Sequence, residues 1–178
     1  YGSSVSPNSF TIDKTKPIVN ISFDNNSSSN GNYYQNSRIA TISINERNFS
    51  TDRVNLSVTQ NGSNSTKTIS GWNTSGDVHT ANIVFDSEAE YSLNLSYSDM
   101  AGNNADKTIS ENFVIDSKEP SLTVEGISDK TAYNKDTVAF TVKSNDTYFN
   151  SLETTLYKIT STGEKKEVLL EEKNVENG

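Results

Sequence analysis

Cysteine is absent from this sequence of 178 residues, which excludes disulfides, thiolate nucleophiles and cysteine-based zinc sites. Proline occurs only three times, so collagen-like and proline-rich sequences are excluded as well. No apolar run approaches 18 residues, and we therefore expect no segment to insert into a membrane. Lys and Arg number 15 against 23 Asp and Glu, a net charge of -8 that predicts no binding to nucleic acid or to anionic lipid surfaces.

Small polar residues dominate what is present, because Ser, Thr and Asn account for 69 of the 178 residues. That polarity would suit a disordered chain, but the eight Tyr and seven Phe predict a packed core. The sequence begins at Tyr1 instead of an initiator Met, from which we expect a piece of a longer protein.

An internal repeat organises the sequence. Phe-x-Ile-Asp-x-x-x-Pro occurs at residues 10–17 and again at residues 113–120, an offset of 103 residues. A period of about 100 residues is too long for a solenoid and is typical of a tandem array of whole domains. We therefore predict that residues 1–16 are the last strand and linker of a preceding repeat, residues 17–116 a complete domain, and residues 117–178 a partial, divergent second unit.

Apolar residues within the complete unit alternate with Ser, Thr and Asn, which is the pattern of half-buried antiparallel strands. Almost no helix is expected. The pair Asn61-Gly62 predicts a type I′ hairpin turn after the third strand. The predicted strands are A (18–23), B (38–45), C (53–60), C′ (66–70), E (78–85), F (90–98) and G (106–115).

Seven short strands in about 100 residues predict an all-β fold, namely an immunoglobulin-like β-sandwich, with tandem units arranged end to end. Tyr91 begins strand F where this fold has a tyrosine corner, so its hydroxyl should bond to nearby backbone. Leu93 stands where the second cysteine of the fold would be, and we expect it to pack against Ile42.

The second unit keeps the apolar pattern of the first four strands. Its strands E, F and G are expected beyond Gly178, so the missing half of its core must come from elsewhere. The residues that predict strands A, B, C and C′ of this unit are Leu122 and Val124, Val138, Phe140 and Val142, Leu152, Thr154 and Leu156, and 168–170 after a turn at 161–163.

Three further motifs belong to the complete unit, namely Glu-Arg-Asn-Phe at 46–49, Gly-Asp-Val-His-Thr at 76–80 and Tyr-Ser-Asp-Met-Ala-Gly-Asn at 97–103. Together with the repeated junction they resemble the bacterial Ig-like tandem repeats of large Gram-positive cell-surface proteins. The resemblance implies an extracellular, non-catalytic module whose partners are the neighbouring repeats of the same polypeptide. The second unit departs from it, because Ser-Asn-Asp-Thr at 144–147 stands roughly where the first motif should be.

Catalytic and cofactor-binding residues are not evident in the sequence. The single histidine, His79, is in phase with Ala81 and Ile83, which predicts a half-buried structural residue at the start of strand E. We therefore expect no enzyme activity.

Oxygen-bearing side chains are expected at one end of the sandwich, where the B–C loop, the F–G loop and the start of strand E meet. Strand A begins at the same end and faces the Asp13 linker. Hard oxygen ligands at such a junction suit Ca²⁺. The alternative is that these side chains only cap their own loops. The candidate metal ligands are Glu46, Asp77, Asp99 and Asn103, with Asn48 nearby.

Two functions follow from these observations. The first is a stalk or spacer that holds another domain away from the cell wall. The second is an adhesin-type module that binds a glycan or a host protein through Trp72, Tyr33 and Tyr34. Trp72 has an alternative role as a cap over the edge of the sandwich.

Overall fold

The structure is a computed structural model that describes residues 10–134 and 137–168. Within these residues the protein is all-β, and one short 3-10 turn at Thr51–Arg53 is the only helical element. None of the described residues forms a helix with the length and apolar character that crossing a membrane requires. The chain divides into a first compact unit that ends at Ser117 and a second that begins at Lys118.

Within residues 10–117, the described part of the first unit, nine strands form two sheets. One sheet has the order β1-β3-β7-β6 and the other has the order β2-β9-β8-β4-β5. Neighbouring strands are antiparallel except for the parallel pair β2 and β9. The strands are β1 (Ile18–Phe23), β2 (Tyr33–Tyr34), β3 (Arg38–Asn45), β4 (Val54–Gln60), β5 (Ser63–Asn64), β6 (Asn73–Ser75), β7 (Val78–Phe85), β8 (Ala89–Tyr97) and β9 (Ile109–Ile115).

The core lies between these two sheets, because each strand directs alternate side chains inward. Along β3 and β8 every second residue is buried, in the period that the sequence shows. Ile42 and Leu93 are both fully buried and belong to the same hydrophobic cluster. The predicted strands A, B and E have the same bounds as β1, β3 and β7. The predicted strands C, F and G correspond to β4, β8 and β9, whose ends differ from the prediction by one to three residues.

Tyr91 confirms the predicted bond to backbone, since its hydroxyl donates to the carbonyl oxygen of Ser87 at 2.9 Å. The ring itself is fully buried. We expect Tyr91→Phe to lower the free energy of unfolding by about 1 kcal/mol, because the Ser87 carbonyl loses its donor. Denaturant unfolding followed by Trp72 fluorescence measures this. Tyr157→Phe, an exposed residue of the second unit, is the control, and an equal loss from both variants would contradict the assignment.

The chain enters and leaves the first unit at opposite ends. β1 begins with Ile18 opposite Asn45, the last residue of β3, and β7 begins beside the same residue. We call this end the entry pole. β9 begins opposite Leu95 near the end of β8 and finishes at Ile115, opposite Ala89. The last strand therefore runs away from the entry pole.

Arg38, the first residue of β3, is buried at the end opposite the entry pole. Its guanidinium carbon lies 3.8 Å from the ring centroids of both Phe23 and Tyr34, and 4.6 Å from that of Phe113. Its Nε donates to the carbonyl oxygen of Asn25 at 2.9 Å. Burial lowers the pKa of Arg38. The ordinary pKa of an arginine side chain is so high that the guanidinium nevertheless stays charged.

The prediction of a strand C′ at residues 66–70 is wrong. The turn at Asn61 and Gly62, both with positive φ, leads into the two-residue strand β5, and the chain then crosses to the other sheet to form β6. Residues 66–70 make this crossing and belong to no strand. Ile69 packs against the core during the crossing, and Lys67 pairs with Asp86. Strand β2 was not predicted at all.

The described residues of the second unit form two separate two-stranded sheets. One joins β10 (Ser121–Glu125) to β11 (Thr141–Asn145), and the other joins β12 (Leu156–Ile159) to β13 (Lys165–Val168). The strand A predicted for this unit corresponds to β10. The predicted strands B and C correspond to β11 and β12, which begin three and four residues later than predicted. The predicted turn at 161–163 is present. Part of strand C′, residues 169–170, lies outside the described residues. Leu122 is 61% exposed, whereas its repeat equivalent Val19 is 1% exposed.

Candidate metal centre

Three carboxylates converge at the entry pole. Asp13, Glu46 and Asp99 offer oxygen atoms that all lie within 4.8 Å of one another. Glu46 follows β3, Asp99 follows β8, and Asp13 belongs to the segment that precedes β1. Glu46 is 4% exposed and Asp99 is 0% exposed, so two of these three charges are removed from water. We call these residues the carboxylate cluster.

Asp99 is fixed by the tight turn that follows β8. The backbone N–H of Asn103 donates to Oδ1 of Asp99 at 2.7 Å, and its side-chain Nδ2 donates to Oδ2 at 2.7 Å. The turn closes through Gly102, whose N–H donates to the Asp99 carbonyl from a backbone with φ 89. Positive φ is what glycine supplies at such a position. A carboxylate accepts about four hydrogen bonds or ligands, so Asp99 keeps lone pairs for a cation.

Glu46 is fixed through its backbone and one carboxylate oxygen. Its N–H donates to the carbonyl of Asp77 at 2.8 Å, and its Oε1 accepts the N–H of Asn48 at 2.8 Å. The carbonyl oxygen of Glu46 accepts a bond from Nε2 of His79 at 2.9 Å. Because a carbonyl can only accept, the proton is assigned to Nε2, and Nδ1 then accepts from the hydroxyl of Thr74 at 2.9 Å.

Asp13 connects the incoming segment to this end of the unit. Its Oδ1 accepts the N–H of Thr15 and its Oδ2 accepts Nδ2 of Asn48, both at 2.9 Å. Nδ2 of Asn103 also donates to the Asp13 carbonyl at 3.1 Å. The Thr15 and Asn48 bonds lower the pKa of Asp13, in that order of size. Pro17, four residues on, is fully buried.

A cluster of aromatic rings packs next to these loops. Phe49 stacks on His79 with ring centroids 4.1 Å apart, and it also contacts Tyr97 and Trp72. The Tyr97 hydroxyl accepts the N–H of Ser50 at 3.1 Å, while burial raises the pKa of Tyr97. His79 is 7% exposed, so it is buried more deeply than the half-buried position predicted for it.

The structure brings together most of the residues that the sequence proposed as metal ligands. Glu46 and Asp99 lie in the carboxylate cluster, and Asn103 and Asn48 hold it through hydrogen bonds. The side chain of Asp77 is not among the converging carboxylates, and Asp77 is exposed. Asp13 belongs to the cluster but was not among the metal ligands proposed from the sequence, where it appeared only as part of the linker at this end. Its recurrence in the repeated motif was the signal that could have identified it.

The aromatic residues proposed for ligand binding do not form one exposed surface. Trp72 is half-buried, with its ring centroid 4.8 Å from that of Phe49. Tyr34 packs edge-on against Phe113 and covers the guanidinium of Arg38. Tyr33 is half-buried beside it in β2.

The chemistry of the carboxylate cluster suits a hard divalent cation. No lysine or arginine forms a salt bridge with any of its three members in the part of the chain that the structure describes. Ca²⁺ takes six to eight oxygen ligands, which carboxylates, backbone carbonyls and water supply. Asp13, Glu46 and Asp99 would hold the ion, which would offset their mutual repulsion and bridge the incoming segment to both loops.

Comparison with protein-family models, with curated proteins and with solved structures finds no match to this chain.

Proposed function

We propose that this chain is a non-catalytic segment of tandem immunoglobulin-like units that serves as a spacer on a bacterial cell surface. The observation that carries the proposal is the path of the chain through the first unit. The incoming segment is fastened by Asp13 at the entry pole, and the chain leaves at Ile115 at the opposite end. A unit with this path adds its own length to an array and holds its incoming segment in one direction.

The strand order supports the immunoglobulin-like assignment. In the first sheet β1, β3 and β7 take the positions of strands A, B and E, and in the second sheet β9, β8 and β4 take those of G, F and C. The bond from the Tyr91 hydroxyl to Ser87 corresponds to the tyrosine corner.

Local geometry in the second unit supports a tandem arrangement of related units. β10 pairs with β11 as β1 pairs with β3, and the same turn follows β11. In that turn the N–H of Tyr148 donates to Oδ1 of Asp146 at 2.7 Å. This is the bond that Asn48 makes to Glu46 in the first unit. Asp146 is therefore the local equivalent of Glu46.

The packing of the aromatic residues favours a spacer over an adhesin. Trp72 and Tyr34 contribute their rings to contacts within the first unit, so neither ring is presented as a flat exposed platform. His79, the single histidine, uses both ring nitrogens in structural hydrogen bonds, which favours a non-catalytic role.

Spin-label distances test whether the incoming segment is held. The chain has no cysteine, so Thr11→Cys and Ser57→Cys introduce two exposed labels without any background. We expect one narrow distance distribution, because Thr11 lies two residues from the Asp13 attachment. Asn48→Ala should broaden it, since the Asn48 side chain donates to Asp13. Lys14→Ala, an exposed change in the same segment, is the control and should leave the width unchanged.

A distribution as broad in the unsubstituted chain as in Asn48→Ala would refute the held segment, and with it the spacer proposal. The adhesin function is tested separately with an array of glycans and host matrix proteins. The spacer proposal expects no saturable binding. Saturable binding that is lost in Trp72→Ala would establish the adhesin function instead.

A further inference from the structure

Among the residues that the structure describes, β1 is the only long outermost strand of the first unit. The other three outermost strands, β2, β5 and β6, have two or three residues each, whereas β1 has six. Natural proteins protect sheet edges by shortening them or by adding charges, prolines and bulges. Residues 18–23 contain no charge and no proline, and their register with β3 is unbroken. Residues 18–23 therefore carry no charge, proline or bulge that would protect this edge.

The free hydrogen-bonding groups of this edge follow from the ladder with β3. The N–H of Asp24 donates to the carbonyl of Ile39, the residue directly opposite. Because the hydrogen-bonded pairs of an antiparallel ladder alternate, the backbone N–H and C=O groups of Val19, Ile21 and Phe23 point away from β3. Asn26 Nδ2 donates to the Phe23 carbonyl at 2.9 Å. Nothing else among the described residues bonds to the outward N–H and C=O groups of these three residues.

We infer that β1 pairs with β1 of a second copy of this chain, antiparallel about a two-fold axis at Ile21. In this register Val19 lies opposite Phe23 of the second copy, and Ile21 lies opposite its counterpart. All three outward-directed residues then find partners, and the two four-stranded sheets join into one sheet of eight strands. On the solvent face Asn20 lies opposite Ser22 of the second copy.

Charge favours a second copy as the occupant at this edge. Two copies of a chain with net charge -8 repel each other, so they approach best where the surface is neutral, and β1 is neutral. The two-fold register also places Lys16 on the diagonal from Asp24 of the second copy at both ends of the paired strands. Diagonal neighbours lie within reach of long side chains. The pairing therefore gains attraction at its ends and meets no like charge at its centre.

The interface is small, because it joins six-residue strands. Interfaces at this end of the size range are weak and transient, and we expect a dissociation constant of roughly 0.1–1 mM. Such a contact forms where copies are crowded and dissociates on dilution.

Sedimentation of the full chain over a concentration series tests this inference. The weight-average mass should rise from 19.5 kDa towards that of a dimer as concentration increases. The double variant Asn20→Lys/Ser22→Lys brings four lysines together across the two-fold axis and should remain monomeric. The matched control is Asn55→Lys/Ser57→Lys, which makes the same changes at exposed positions of β4 and should dimerise like the unsubstituted chain.

Charge reversal supplies the positive test. Asn20→Glu/Ser22→Glu should also be monomeric alone, but an equimolar mixture with Asn20→Lys/Ser22→Lys should form a heterodimer. Hydrogen exchange at the Val19 and Ile21 amides should slow in that mixture. A chain that stays monomeric at 1 mM, a control that loses dimerisation equally, or a mixture that fails to associate would each overturn the inference.

Discussion

Calcium at 10 mM should raise the melting temperature of the first unit by about 10 °C. Two buried carboxylates and a third within 4.8 Å repel one another, and a divalent cation that binds only the folded cluster removes that repulsion. With a dissociation constant of roughly 0.1–1 mM, as in extracellular calcium modules, the gain is about 1.4–2.7 kcal/mol. For a unit of this size each kcal/mol shifts the midpoint by about 4–8 °C. Trp72, the single tryptophan, reports on this unit alone.

Two substitutions separate a bound ion from a general salt effect. Asp99→Asn should abolish the calcium-dependent shift. Asp13→Asn, at a partly exposed position, should reduce it, and it also replaces one of the two oxygens that accept from Thr15 and Asn48 with an N–H donor. Asp77→Asn is the matched control, because Asp77 lies at the same pole but outside the carboxylate cluster. An unchanged midpoint in 10 mM calcium, or an equal loss of the shift in Asp77→Asn, would show that these carboxylates only order their own loops.

Arg38→Ala should lower the free energy of unfolding of the first unit by about 3 kcal/mol. The substitution removes a buried cation from the faces of Phe23 and Tyr34, contacts that are worth up to about 2 kcal/mol each when desolvated. It also leaves a cavity against Phe113 and takes the Nε donor from the Asn25 carbonyl. Denaturant unfolding followed by Trp72 fluorescence measures the loss.

Arg38→Lys tests whether the planar group matters. Lysine keeps the charge but cannot stack between two rings, so we expect it to recover less than half of the loss. Arg53→Ala, which removes an exposed arginine next to β4, is the control and should change stability by less than about 0.5 kcal/mol. Full recovery by lysine would mean that charge, not stacking, stabilises this end of the unit.

The sequence predicted best those elements whose burial alternates without interruption. β1, β3 and β7 have the predicted bounds because each keeps one apolar face over six to eight residues. Residues 66–70 show a similar short pattern, but Ile69 turns into the core during a crossing between sheets, and local periodicity cannot distinguish that from a strand. β2 is too short for any period to appear.

The candidate site was predictable only in part, for a related reason. The loops that carry Glu46 and Asp99 follow directly from strand ends, so their meeting follows from the fold. The bonds of Asp13 to Asn48 and Asn103 join residues 35 and 90 positions apart, and no local pattern encodes such a pairing. The cation–π packing of Arg38 is equally non-local, and no pattern in the sequence predicts it.

The opposed entry and exit of the first unit decide how it responds to mechanical force. A pull on the chain on either side of the first unit reaches β1 at the entry pole and β9 at the other end, so the β1–β3 ladder is loaded along its length. Six residue pairs then resist in shear together, whereas a strand peeled from one end would lose its bonds one at a time. The attachment of Asp13 to Asn48 lies ahead of this ladder and takes the load first. The lifetime of the unit under tension is then set by the rate of forced unfolding and not by its equilibrium stability.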